Sequence, residues 1–189
     1  MLRNRFQLTF LRLALPLSLI LICTSCQSTI PNQNVVGSIF PSVVGENLEG
    51  HAISIPDHRA PRPTVLLIGY LQDAQFDADR WLLGLLQAET PVRLLEVPTI
   101  PGLFMEILLA NTIDNGMRTG IPFEDWAVVD TLYGDDAERV KSFTGNTGGN
   151  NIRVVLLDET GTVVWFHDRG YSAGKLLELD QLIRNEFSE

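Results

Sequence analysis

Cys23-Thr24-Ser25-Cys26 is the stretch whose residue types and spacing most directly suggest chemistry, and it holds the only two cysteines in the chain. A C-x-x-C can be a redox dithiol, with its first thiol acidified at a helix N-terminus. It can also be half of a zinc site, which needs two more soft ligands. His51, His58 and His167 are scattered and supply no ligand spacing. Other groupings are weaker. Asp73, Asp77 and Asp79 near a helix start could meet a cation, but acids in a first helical turn ordinarily answer the helix dipole from a solvated face. Gly170-Tyr171-Ser172-Ala173-Gly174-Lys175 is one residue short of a phosphate loop and lacks the hydroxyl residue after its lysine. The loop Gly145–Asn151 could offer backbone N–H groups to an anion, or serve only as a connection. Asp114, Arg118, Asp130 and Tyr133 are expected near a cleft mouth. No Ser-His-Asp or Cys-His set can be assembled.

The flanks of the cysteine pair narrow its meaning. Arg3, Arg5 and Arg12 precede a short apolar run, Leu13 to Ile22, and no acid occurs in the first 25 residues. A basic start, a short apolar core and then small residues form a secretory signal peptide. The run is shorter than the ~20 apolar residues a bilayer span needs. Thr24-Ser25-Cys26 resembles the lipobox of bacterial lipoproteins, with Cys26 as the residue that is acylated, palmitate included, and becomes the new N-terminus. Cys23 stands where that pattern usually has leucine. Cys23 as acceptor would place bulky Ile22 at the cut, so Cys26 is preferred. Gln27 after it resembles an outer-membrane sorting signal in Gram-negative bacteria. The resemblance implies a lipid-anchored protein of the cell envelope, on the outer membrane and facing the periplasm.

Cleavage before Cys26 leaves 164 of 189 residues and takes three of the 14 basic side chains, so 11 remain against 23 acidic ones, a balance of −12. Such a surface repels nucleic acid. The length suits one domain. No thiol remains free after acylation, so packing alone must hold the fold, and a 45% hydrophobic composition allows it.

The expected division is residues 1–25 signal peptide, 26–36 tether and 37–189 domain. Ser42–Val44 and His51–Ile55 predict a small hairpin. Thr64–Tyr70 is a continuous apolar run, as for a strand covered on both faces. Asp73–Ala88 has helical spacing, with Phe76, Leu83 and Leu86 on one apolar stripe and Trp81 and Leu82 beside it. Val92–Val97 completes a parallel βαβ unit. Leu103–Ile113 is a helix apolar nearly all round. Trp126–Asp130 reads as a strand and Asp136–Phe143 as a short helix. Ile152–Leu157 and Thr162–His167 form an antiparallel hairpin. Ser172–Phe187 is a closing helix, its apolar stripe Leu176, Leu179, Ile183 and Phe187.

A βαβ half followed by a ββα half is the thioredoxin plan. The opening "GSIFPSVVGENLEG", the strand Thr64–Tyr70 and the ending "VVLLDETGTVVWFHDRGYSAGKLLEL" resemble the redoxin branch of the thioredoxin-like superfamily. The middle, "LEVPTIPGLFMEILLANTIDNGMRTGIP", with Leu157-Asp158, Gly161, Trp165 and Gly170, is most similar to the mitochondrial ATP synthase assembly factor family and its bacterial relatives. The resemblance spans about residues 37 to 187. It implies an α/β, three-layer thioredoxin-like fold with a mixed central sheet, and an assembly or chaperone role.

In redox-active members of that fold, cysteines follow the first core strand at the start of the next helix. The matching stretch, Gly69–Trp81, contains none. The proline that faces the dithiol is also missing, because the loop before the next strand ends Gly149-Asn150-Asn151-Ile152. Thiol exchange needs a thiolate. The expectation is therefore a redox-inactive domain with no catalytic residue, cofactor or metal, which binds a protein partner. Phe104, Met105 and Leu108 on the apolar helix, with Arg118 beyond it, are the candidate partner-binding residues. The competing class is a degenerate oxidoreductase using groups other than cysteine.

Overall fold

The computed structural model describes residues 29–57 and 63–187, and of residues 103–108 the backbone only. The signal peptide, Cys23 and Cys26 lie outside the described residues. Seven strands form one mixed sheet in the order β2-β1-β5-β4-β3-β6-β7. They are β1 (Val43–Asn47), β2 (Ala52–Ile55), β3 (Thr64–Gly69), β4 (Arg93–Ile100), β5 (Asp130–Tyr133), β6 (Arg153–Leu157) and β7 (Val163–His167). The helices are α1 (Gln75–Gln87), α2 (Leu103–Gly120), α3 (Gly134–Thr144) and α4 (Ala173–Phe187).

β3 is central because its sequence, Thr-Val-Leu-Leu-Ile-Gly, has an apolar side chain for each face. It pairs parallel with β4 and antiparallel with β6, setting Ile68 opposite Arg153. Val65 and Leu67 point to the layer holding Trp81, Leu85, Leu176, Leu179 and Ile183. Leu66 and Ile68 point to the opposite layer, with Val43, Leu132, Ala137 and Val140. Helices α1 and α4 thus cover one face, and α3 covers the other with α2 beside it. Each such aliphatic side chain contributes about 1.5–3 kcal/mol on full burial.

Three expectations need correction. The stripe Phe76, Leu83, Leu86 of α1 is the exposed one, at 75%, 56% and 56%. The buried face carries Asp77, Ala78, Trp81 and Leu85. Trp81 supplies more area than any leucine. Asp77 must also turn inward to reach the backbone donors described below, so the helix is rotated away from its apparent apolar moment. Trp126–Asp130 is not a strand. Phe123–Val128 is a 3-10 turn in which the Trp126 indole N–H donates to the Ile121 carbonyl, and β5 begins only at Asp130. The apolar-rich helix runs to Gly120 rather than Ile113, and its C-terminal half is fastened by Tyr133 and Arg118.

From Ile30 onward, the stretch expected to be a tether runs along the domain. The Ile30 N–H donates to Asn146 Oδ1 at 2.7 Å, and the Asn146 N–H returns to the Ile30 carbonyl at 2.9 Å. Val35 is buried, and the Gly37 N–H reaches the Val163 carbonyl at 2.8 Å.

Candidate functional site

The end of the sheet where β3 runs into α1 holds several buried polar groups, Asp77, Thr144, Asn146 and Arg153 among them. Asp77, in the first turn of α1, is 2% exposed. Its Oδ2 accepts the Ile152 N–H at 3.0 Å and its Oδ1 accepts the Tyr171 N–H at 2.7 Å. Arg80 adds a longer contact at 3.3 Å. One carboxylate therefore joins the helix, the loop before β6 and the segment before α4.

Arg153, the first residue of β6, is fully buried. Its guanidinium donates to the carbonyls of Asn151 (2.6 Å) and Thr147 (2.7 Å) and to Asn32 Oδ1 (2.9 Å). It lies 5.4 Å from the centre of the Tyr70 ring, and the Tyr70 hydroxyl pairs with Thr144 Oγ1 at 2.7 Å. Burial pulls the Arg153 pKa down, opposed by Tyr70 and Asp168. Burial likewise pushes the Tyr70 phenol up, so it stays neutral. Asn32 Nδ2 bridges to Asp168 at 2.8 Å. Behind this network, Trp81 packs edge-on against Trp165 and Tyr171, with His167 at 5.6 Å.

The arrangement has definite chemical consequences. Asp77 has both oxygens committed to backbone donors. The Gly145–Asn151 loop turns carbonyls toward Arg153, a polarity opposite to that of an anion cradle. The Tyr171 N–H in the phosphate-loop-like segment is taken by Asp77. Asp73, Asp77 and Asp79 do not converge, since Asp79 accepts from Gln75 at 2.9 Å while Asp77 points inward. Among the described residues, no three His, Cys, Asp or Glu side chains lie together as metal ligands.

Of the expected cleft-mouth residues, Asp114, Arg118 and Tyr133 come together, and Asp130 stands outside their contacts. Tyr133 donates its hydroxyl to Asp114 at 2.7 Å, pinning α2 to β5, and burial followed by the Asp114 carboxylate pushes its phenol up. Arg118 Nε donates to the Leu48 carbonyl at 2.7 Å, and its guanidinium lies 5.9 Å from the Trp126 ring. The side chains of Phe104, Met105 and Leu108 lie outside the described residues.

Asp130 is fully buried at the start of β5, and neither carboxyl oxygen meets a donor among the described residues. Burial pushes its carboxyl up to about 6, against a smaller opposing pull from Arg93. The native state thus binds this proton more tightly than the unfolded chain. The associated stability is present at pH 4 and is lost as pH rises toward 6. Asp130→Asn is expected to stabilise the protein at pH 7 by up to about 3 kcal/mol, since each pKa unit is worth ~1.4 kcal/mol. Paired urea melts should show the gap closing by pH 4; a gap independent of pH would contradict the assignment.

Sequence reading took Asp77 only as one of three acids on a solvated helix face, whereas it is buried, and it passed over Arg153. The available signal was a charged residue at a core position of each element: Asp77 four residues before Trp81, and Arg153 opening an otherwise apolar strand.

No known family profile matches the chain, and no curated protein matches its sequence. Solved structures do match in shape. A SCO1/SenC family lipoprotein from Bacillus anthracis is 10% identical, with a TM-score of 0.55 over 81% of this chain and 99% of that one. Yeast Sco1 with copper bound is 11% identical, with a TM-score of 0.54 over 80% and 94%. The pneumococcal exposed lipoprotein thioredoxin from Streptococcus pneumoniae is 11% identical, with a TM-score of 0.50 over 75% and 99%. The chain has a thioredoxin-like fold with a mixed seven-stranded sheet.

Proposed function

We propose that this chain is a lipid-anchored envelope protein whose thioredoxin-like domain is redox-inactive and binds a protein partner, in the assembly of a membrane complex. The observation that carries this reading is Asp77. In the first turns of the helix after the first core strand, where redox-active members of the fold present a thiol, this chain has a carboxylate with both oxygens bound to backbone N–H groups. No cysteine occurs after Cys26. Two of the structural neighbours are lipoproteins by description, and a third belongs to a group described as cytochrome c oxidase assembly proteins. Both descriptions agree in kind with the lipobox-like Cys26 and with an assembly role at a membrane. The partner surface is α2, a peripheral helix whose described side chains from Leu109 to Gly120 are exposed or only half-buried.

The test is in-membrane crosslinking of the full chain carrying a C-terminal tag, followed by detergent solubilisation and mass spectrometry. A defined partner should be recovered with the wild type and lost with Phe104→Glu or Leu108→Glu, while urea melts of the variants stay cooperative. Recovery unchanged in both variants would remove α2 as the surface. Insulin disulfide reduction by the purified protein would overturn redox inactivity.

A further inference from the structure

The segment Ile30–Val36 and the apolar residues of the β3–α1 junction share one end of the molecule. Ile30 is held by Asn146, and Asn32 by Thr147 and Asp168. The loop containing Asn146 and Thr147 precedes β6, whose start lies opposite the end of β3. Leu71 touches Gly149 of that loop, and Asp77 binds the Ile152 N–H. At this same end Leu71 is 46% exposed and Phe76 is 75% exposed. Leu71 and Phe76 thus put two exposed apolar side chains at the end from which the N-terminal segment leaves the domain.

Covalent geometry supplies that surface. This step rests on the reading of Cys26 as the acylated residue. Three residues, Gln27, Ser28 and Thr29, separate Cys26 from the hydrogen-bonded Ile30, and the four chain steps can span at most about 14 Å. A tether of that length cannot let the domain turn over. We infer that the β3–α1 end docks onto the lipid bilayer that holds the anchor, with Leu71 and Phe76 entering the headgroup region. Exposed charges of both signs, Asp73 in the turn before α1 and Arg169 beside Asp168, belong to this end. The chain as a whole is acidic. Contact is therefore apolar in origin and insensitive to salt, unlike adsorption through a basic patch. The end at which other members of the fold present their thiol is turned to the membrane, and the exposed flank of α2 is left for a protein.

The experiment uses the full chain recovered from membranes with its anchor, carrying Leu71→Cys, Phe76→Cys or Leu86→Cys. Each variant is spin-labelled and reconstituted into phosphatidylcholine vesicles. Leu86 is an exposed position on the same helix, about 15 Å farther from the docked end. Labels at 71 and 76 should show raised access to oxygen and severalfold lower access to a water-soluble nickel chelate, whereas the label at 86 shows the reverse, at low and high salt alike. Equal access at all three positions, with the protein still floating with the vesicles, would overturn the docking and leave the anchored reading intact. Protection from the chelate without raised oxygen access would assign the face to protein, a second copy included, and overturn the lipid assignment. If the wild-type chain incorporates no labelled fatty acid and Cys26→Ala changes nothing, the anchor fails and the docking with it.

Discussion

Asp77→Ala is expected to lower stability by about 3–5 kcal/mol, because two charge-assisted hydrogen bonds to backbone N–H groups, one buried and one half-buried, are lost together, at ~1.5–3 kcal/mol each. Ile152 and Tyr171 would be left with donors that nothing else reaches. The Arg80 contact adds little to this figure, since its guanidinium side is mostly in water. Asp77→Asn preserves volume but faces one of the two N–H groups with an amide donor, so it should lose a large part of the same stability. Urea melts measure the size. Hydrogen exchange at Ile152 and Tyr171 measures the place, and both amides should lose protection first. A loss within about 0.5 kcal/mol, the usual range for surface changes, would mean that Asp77 is not a clamp. It would reopen this carboxylate as a reactive group, and with it the oxidoreductase alternative.

The second large effect is expected at Gly145. Its φ is +72°, and a Cβ there would press into the Pro31 carbonyl and the Asn32 Cα. Backbone atoms cannot swing aside as a side-chain tip can. Gly145→Ala should therefore lift Ile30–Val36 off the domain, breaking the Ile30–Asn146 pair and removing Asn32 from Arg153. Backbone strain of about 1–3 kcal/mol, at a φ of 72° and ψ of 166° that only glycine readily adopts, and the lost bonds, one of them to a buried cation, together give about 3–5 kcal/mol. Gly148→Ala is the matched control. Gly148 has nearly the same φ, +69°, with nothing within 4 Å of its missing Cβ, so only the strain should appear. Limited proteolysis in residues 29–36 should accelerate for the first variant and not the second. Equal stability of the two variants would show that the N-terminal segment contributes nothing to the fold.

Much of this molecule is written locally. The unbroken apolar run of β3 can only be a strand covered on both faces, and the turn at Asp158–Gly161 is built from its own residues, with Asp158 Oδ1 accepting from the N–H groups of Thr160 and Thr162. Leu176, Leu179 and Ile183 repeat at the helical period and are the buried stripe of α4. These features depend on neighbours three or four residues away, so a linear reading reaches them. The order of strands and helices, and through it the thioredoxin-like fold, follows from the same local signals.

Tertiary structure decided the rest, because the deciding partners are far apart in the chain. The period of α1 offered two faces, and the one with three large apolar side chains was the more conspicuous. Asp77 selects the other by meeting donors 75 and 94 residues away. Trp126–Asp130 has strand-like composition, but its ladder partner on β4 begins to match only at Val129. The segment from Ile30 to Val36 has no periodicity at all, and its order comes from the Asn32 side chain, which meets Thr147, Arg153 and Asp168, and from the backbone N–H groups of Ile30 and Gln33, which meet Asn146 and Thr144. The chain by itself determined that no cysteine follows Cys26 and that a strand would lead into a helix lacking a thiol. Only the folded arrangement, by burying the Asp77 carboxylate and the Arg153 guanidinium where each meets partners distant in the chain, decided what stands there instead.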